Sequence, residues 1–330
     1  MIRLLTVQRI GNLLKVWLSY QLSRWFQKPI VWGMPFSASI EPTTSCNLGC
    51  PECPSGLRSF TRATGNLSMN AYEEYISAMA PNLMYIILYF QGEPLLNKGF
   101  INMIRYAKAK NIYTATSTNA HFISKDLATE IVRSGLDRLI ISIDGTTQEV
   151  YEQYRIHGSL DKVIEGTSNI IEAKKQLQSS TPHVIFQFLV VKPNEHQIEE
   201  VKKLGDELGV DEVRLKSAQI DDFENGSELI PTQDQYSRYA KQPDGTYRIK
   251  NQMANHCWRL WSSTVVTWDG KAVPCCFDKD AKYELGQLNG LTMREIWRDD
   301  RYQEFRKKVL SGRKNIDICT NCTEGMGVWK

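Results

Sequence analysis

Cys46-Asn-Leu-Gly-Cys50-Pro-Glu-Cys53 is the stretch from which the rest of the chain is read. Cysteine thiolates hold iron–sulfur clusters, usually four to a cubane. A loop that supplies only three leaves one iron open to a small molecule, much as catalytic metal sites keep an open position while structural sites are closed. For these three cysteines alone, a zinc knuckle or chance clustering stands as the alternative.

The remaining cysteines form a second group: Cys257, then Cys275 and Cys276, then Cys319-Thr-Asn-Cys322. Eight cysteines could make four disulfides, but that pattern belongs to small secreted domains. This chain has 330 residues, contains C-x2-C pairs and has no convincing signal peptide, so reduced, metal-bound cysteines in the cytoplasm are the better reading. A hydrophobic fraction of 42% with 23% charged residues describes an ordinary globular protein. The net charge of +3 is too small to indicate nucleic-acid binding, and none is expected.

Residues 1–35 stand apart. Arg3, Arg9, Lys15, Arg24 and Lys28 are basic, and no acidic residue precedes Glu41. Leu4, Leu5, Val7, Ile10, Leu13, Leu14, Trp17, Leu18, Trp25 and Phe26 recur near helical spacing, which predicts an amphipathic helix. Arg9 and Lys15 interrupt the apolar run, so it is too short to span a membrane. Packing on the main body or on a partner is the first expectation. Peripheral contact of residues 1–30 with an anionic membrane is the alternative.

Between residues 36 and 220, short apolar runs alternate with amphipathic segments. Strands are expected at 36–41, 85–90, 113–118, 138–143, 184–190 and 212–215. Helices are expected at 70–79, 97–110, 125–134, 160–178 and 196–208. Such alternation means an α/β fold with a parallel sheet. Six units suit an open, partial (β/α)6 TIM-like barrel, whose chemistry sits at the C-terminal strand ends. Residues 221–250 are a polar connector rich in turn formers. From 251 to 330 a second unit is expected. Val265–Trp268 and Lys271–Val273 flank Asp269-Gly270 as a hairpin, and a helix follows near 291–310.

Three strand ends carry further signals. The second runs into Tyr89-Phe90-Gln91-Gly92-Glu93-Pro94, the third into Thr118-Asn119-Ala120, and the fourth through Ser142-Ile143-Asp144-Gly145 to Glu149, Tyr151, Tyr154 and Arg155. Taken singly, each has a plain reading. Gly-Glu-Pro is a common turn, Asn119 a strand-end cap, Asp144-Gly145 a tight turn, and Arg155 a surface partner of Glu152 or Asp161.

Together, in this order with the two cysteine groups, they resemble the radical S-adenosylmethionine (radical SAM) superfamily with a C-terminal SPASM/twitch-type extension. The resemblance covers about residues 36–322. It implies that Cys46, Cys50 and Cys53 hold a 4Fe–4S cluster whose open iron binds S-adenosylmethionine. Cleavage of the bound S-adenosylmethionine yields a 5′-deoxyadenosyl radical. It implies that Gly92, Glu93, Pro94, Asn119, Ser142, Asp144 and Arg155 line the S-adenosylmethionine site, with Arg155 suited to a carboxylate by its fixed fork. It implies that Cys257, Cys275, Cys319 and Cys322 hold an auxiliary 4Fe–4S cluster, leaving Cys276 over. Zinc is the alternative for four cysteines at this spacing. Gln91 and Ala120 replace family glycines. Eight residues follow Cys322, which matches the shorter, single-cluster form.

A closed auxiliary cluster suits electron acceptance, so the expected reaction is a two-electron oxidation of a substrate C–H group. An electron donor such as flavodoxin or ferredoxin is implied. Peptide maturation ranks second, because about 40 residues before the first strand are too few for an N-terminal peptide clamp. A non-catalytic iron–sulfur or zinc scaffold is the alternative of another class. No residue is assigned as the proton acceptor. Arg214 and Lys216 are candidates to face the pocket and favour an anionic substrate.

Overall fold

A computed structural model describes residues 5–251, 253–325 and 327. Arg3 and Leu4, part of the expected N-terminal helix, lie outside the described residues.

Six parallel strands carry the first unit: β1 (Ser37–Ile40), β2 (Tyr85–Ile87), β3 (Tyr113–Thr118), β4 (Arg138–Ser142), β5 (His183–Val190) and β6 (Glu212–Ser217). They pair in sequence order, each parallel to the next. Helices stand between them: α1 (Val7–Phe26), α2 (Pro54–Leu57), α3 (Met69–Met79), α4 (Phe100–Ala109), α5 (Lys125–Arg133), α6 (Gln148–Tyr154), α7 (Leu160–Gln176) and α8 (Ile198–Leu208). Ser68, Ser124, Thr147 and Ser159 start α3, α5, α6 and α7 by accepting a backbone N–H in the first turn. In β5, Val184, Ile185, Phe186, Phe188 and Val190 are fully buried, as expected of a strand covered on both faces.

The connector holds a small antiparallel ribbon, β7 (Tyr239–Lys241) and β8 (Tyr247–Ile249). Beyond it come α9 (Arg259–Ser262), β9 (Ser263–Val266), β10 (Lys271–Val273), β11 (Gly286–Gln287), α10 (Met293–Arg298), α11 (Asp300–Gly312) and α12 (Asp317–Thr320). The hairpin β9–β10 turns at Gly270 (φ +88°). β9 lies parallel against β1, with Ser37 opposite Ser263 and Ile40 opposite Val266. The sheet therefore runs β11-β10-β9-β1-β2-β3-β4-β5-β6 and stays open, with β6 and β11 at its two edges.

Three local differences from the sequence reading have physical reasons. The expected helix over 291–310 is two helices, broken where the extended Asp299 accepts the Arg301 N–H (2.9 Å) and caps α11. The helix expected from residue 97 starts at Phe100. Asn97 is spent instead on the Pro42 and Leu67 carbonyls (2.6 and 3.0 Å) and the Gly99 N–H (2.8 Å).

The third difference is the orientation of α1. It packs on the body through Arg9, Asn12, Val16, Ser19, Tyr20 and Ser23, while most of its apolar stripe faces outward. Arg9 donates to the Ala80, Lys110 and Asn111 carbonyls at the ends of α3 and α4, favourable ground for a cation. That contact sets α1 against the N-terminal ends of β2 and β3. No helix of the described residues is long and apolar enough to cross a membrane.

Candidate active site and metal centres

The first cysteine loop follows β1 and hangs from buried anchors. Glu41, wholly buried, takes both Arg62 guanidinium nitrogens (2.6 and 2.9 Å) and the Trp268 N–H (3.2 Å). Cys50 is buried and Cys46 and Cys53 half-buried. The Leu48 N–H points at the Cys46 sulfur (3.5 Å), and Arg155 Nη1 at the Cys50 sulfur (3.6 Å). Burial pushes the Cys46 thiol up to about 11 and raises Cys50 as well, with Arg155 opposing the rise at Cys50.

The strand-end motifs close round this loop. Gly92 has φ +73°, and a Cβ there would lie 2.4 Å from the Thr43 carbonyl oxygen, so glycine is required. Gln91, where the family has glycine, keeps an ordinary φ, whereas Ala120 takes the left-handed conformation at φ +62°. Glu93, 2% exposed, accepts from the Thr118 hydroxyl (2.7 Å), the Asn119 N–H (2.8 Å) and the Leu95 N–H (3.2 Å). Its carboxylate thus ties the β2 end to the β3 end, while Pro94, itself buried, begins a short turn. Asn119 donates to the Asn47 side chain inside the cysteine loop (2.8 Å).

Ser142 is buried at the end of β4. Asp144, also buried, accepts Arg155 Nε at 2.5 Å and the Leu189 N–H at 2.7 Å. Burial raises the Asp144 carboxyl and Arg155 opposes that rise. Arg155 is therefore not a surface partner of Glu152 or Asp161. It bridges Asp144 and Cys50.

The second group gathers from three places. Cys257 precedes α9, Cys275 follows β10, and Cys319 and Cys322 come from α12 and its exit. All four line one cavity of about 20 Å³, walled otherwise by Leu260, Phe277, Phe305, Val309 and Ile318 and by the side chains of Arg259, Arg313 and Glu324. Arg313 Nη2 and the Glu324 N–H each donate to the Cys322 sulfur at 3.3 Å. Burial raises Cys319, and pushes Cys322 up to about 11. Cys276 does not line this cavity and is exposed. Among the described residues no three Cys, His, Asp or Glu side chains are arranged round a single-ion site.

Between the two groups stand Tyr89 and Cys276, to which the sequence reading gave no role. Both are partly open to solvent, and desolvation by the surrounding protein raises both. Tyr89 lies within electrostatic reach of Cys46, Cys53 and Cys276. Cys276 in turn feels Arg259, Glu324 and Lys216. Arg259 pairs with Glu324 at 2.6 Å. Arg214 points the same way as Lys216 along β6 but is paired with Glu212, two residues back. The only hint in the sequence was the place of Tyr89 and Lys216 at strand ends.

Residues 40–205, half of the chain, match the family model of the radical SAM superfamily, and residues 257–323 match the SPASM iron–sulfur cluster-binding domain. The tungsten-containing aldehyde ferredoxin oxidoreductase cofactor-modifying protein of Pyrococcus furiosus is 22% identical over 314 residues, 86% of each chain. Mycofactocin maturase MftC of Mycobacterium tuberculosis is 30% identical over 139 residues, which are 42% of this chain and 35% of that protein. Streptococcus suis SuiB, solved bound to its precursor peptide SuiA, has the same fold: TM-score 0.63 at 14% identity, over 90% of this chain and 73% of SuiB.

The two family matches imply S-adenosylmethionine and two iron–sulfur clusters as cofactors. The residues present fit them. Both thiol groups are sheltered, and N–H donors point at three of the sulfurs, an arrangement that favours thiolate over thiol once a cation binds.

Proposed function

The chain belongs to the radical SAM superfamily, and from that premise we propose that it is a maturase acting on a peptide. The cofactors, when bound, supply hydrogen-atom abstraction from an unactivated C–H group and an acceptor for a further electron. Cys46, Cys50 and Cys53 would hold the first cluster, and Cys257, Cys275, Cys319 and Cys322 the second. Gly92 brings its backbone close to the cysteine loop, and Glu93 locks two strand ends behind it. Asp144 fixes the Arg155 fork so that one face stays available to the carboxylate of S-adenosylmethionine. Tyr89 and Lys216 would orient the substrate between the two cysteine groups.

The observation that carries this reading is the sheet that does not close, with Tyr89 within electrostatic reach of both cysteine groups. An open sheet leaves room for an extended segment to reach that place from the β6 edge. MftC is a maturase by name and SuiB is held with a peptide, which supports the peptide of the two substrate classes open at first, small molecule or peptide, and moves peptide maturation ahead of the simple C–H oxidation ranked first. A second reading, modification of a small molecule or cofactor, is supported by the Pyrococcus relative, which aligns over 86% of both chains.

Anaerobically reconstituted protein with S-adenosylmethionine and dithionite should release 5′-deoxyadenosine. Replacing Cys46, Cys50 and Cys53 together with Ala should abolish that release. Peptides encoded beside this chain should raise the rate and return altered in mass. Turnover of S-adenosylmethionine that ignores every such peptide but responds to a small alcohol or cofactor would shift the assignment to the second reading.

A further inference from the structure

Helix α1 is amphipathic the wrong way round for a helix that merely packs. Its protein-facing side holds Val16 and Tyr20 but also Arg9, Asn12, Ser19 and Ser23, all satisfied: the Asn12 amide exchanges hydrogen bonds with the Met34 backbone at 2.9 and 2.8 Å. Its outward side holds Val7, Ile10, Leu14, Trp17, Leu18 and Trp25, at three- and four-residue spacings that make one stripe. Val7 is 90% exposed and Trp25 83%. Gln21 interrupts the stripe between Leu18 and Trp25, yet so many exposed apolar side chains on one face still call for a covering surface.

The flanks say which surface. With successive residues ~100° apart round the helix, Lys15 falls on one margin of the stripe and Arg24 on the other. Lys28 follows the helix end, and the first acidic residue of the chain, Glu41, is buried against Arg62. Beside α1 runs an open groove of about 610 Å³, lined by Lys15, Pro29, Val31, Trp32, Arg298 and Gln303. A second copy of α1 laid across the stripe would bring the same cations against Lys15 and Arg24. An anionic surface would answer them.

We propose that α1 is an in-plane anchor to anionic phospholipid. The stripe enters the acyl boundary and Trp17 and Trp25 sit at its edge, where indoles are favoured. Lys15, Arg24 and Lys28 meet the phosphates. The groove between Lys15 and Arg298 seats a headgroup phosphate. Because α1 lies at the N-terminal strand ends, the first cysteine loop at the opposite ends stays on the aqueous side.

The test is co-sedimentation of reconstituted full-length protein with phosphatidylcholine vesicles, with and without an equal part of phosphatidylglycerol. Binding should rise roughly tenfold with the anionic lipid and fall with added salt. Brominated lipid should quench Trp emission, less so in Trp17→Phe/Trp25→Phe. Leu14→Glu/Leu18→Glu and Lys15→Glu/Arg24→Glu should each abolish binding while leaving iron content unchanged, since all four side chains are exposed. The proposal is overturned if neither vesicle binds, if both bind equally, or if the double variants bind like the parent. A dimer that Leu14→Glu/Leu18→Glu dissociates, without vesicle binding, would assign the face to a second copy instead.

Discussion

At the scale of single residues, two adjacent cysteines have different surroundings. Cys275 shares a cavity with Cys257, Cys319 and Cys322, whereas Cys276 lies outside it, exposed and within electrostatic reach of Tyr89 and Lys216. Cys275→Ser should therefore remove about four of about eight irons, the content of one cubane. Cys276→Ser should leave iron content unchanged and act, if at all, on product formation. Iron analysis with electron paramagnetic resonance of both variants decides the matter; equal loss in both would mean that the two thiols interchange. The order and spacing of the cysteines were legible in the sequence. Which thiol of the pair faces inward depends on the backbone turn after β10, and spacing does not encode that.

Among the elements, the tie that matters most is the one between the end of β1 and the C-terminal hairpin. Glu41 and Arg62 are 0% and 4% exposed in their side chains, and Glu41 also accepts from Trp268 beyond β9. Thr61 and Arg62 reach Asp280 and Lys279 in the same C-terminal segment. Glu41→Gln would strand a buried guanidinium, so a loss of about 3–5 kcal/mol in denaturant unfolding is expected. Glu41→Gln with Arg62→Met should recover part of that loss, because a neutral pair avoids the stranded charge. Additive losses in the double variant would show that the pair is not coupled. Nothing in the sequence marked Glu41 as special, since the partner residues lie 21 and 227 positions away.

In the whole molecule, β9 pairs with β1, so the first cysteine loop and the hairpin that carries Cys275 belong to one continuous sheet. Trp261 and Trp297, buried in the same core, donate to the Ile30 and Gly33 carbonyls at 2.9 and 3.0 Å and fasten the C-terminal segment to the segment after α1. A fragment ending at residue 250 should lose β9, one of the two partners of β1, and both indoles. Circular dichroism and gel filtration should find it unfolded or aggregated. A monomeric fragment that still cleaves S-adenosylmethionine would instead show that the first unit stands alone.

By itself the sequence determined the family, the alternation of strands and helices, and the order of the cysteines. All three rest on local periodicity or on spacing along the chain, and these survive without coordinates. Only the tertiary structure decided which face of α1 is buried. The helical pattern shows that an apolar stripe exists, not which side meets the body; Arg9 chose that by reaching the carbonyl ends of α3 and α4. The structure likewise decided that Arg155 turns back across α6 to Asp144 rather than to a surface partner, and that Tyr89 comes near Cys276. The first depends on how α6 ends, and the second on β2 and β10 sharing one sheet although they lie far apart in the chain, a relation no window of sequence contains.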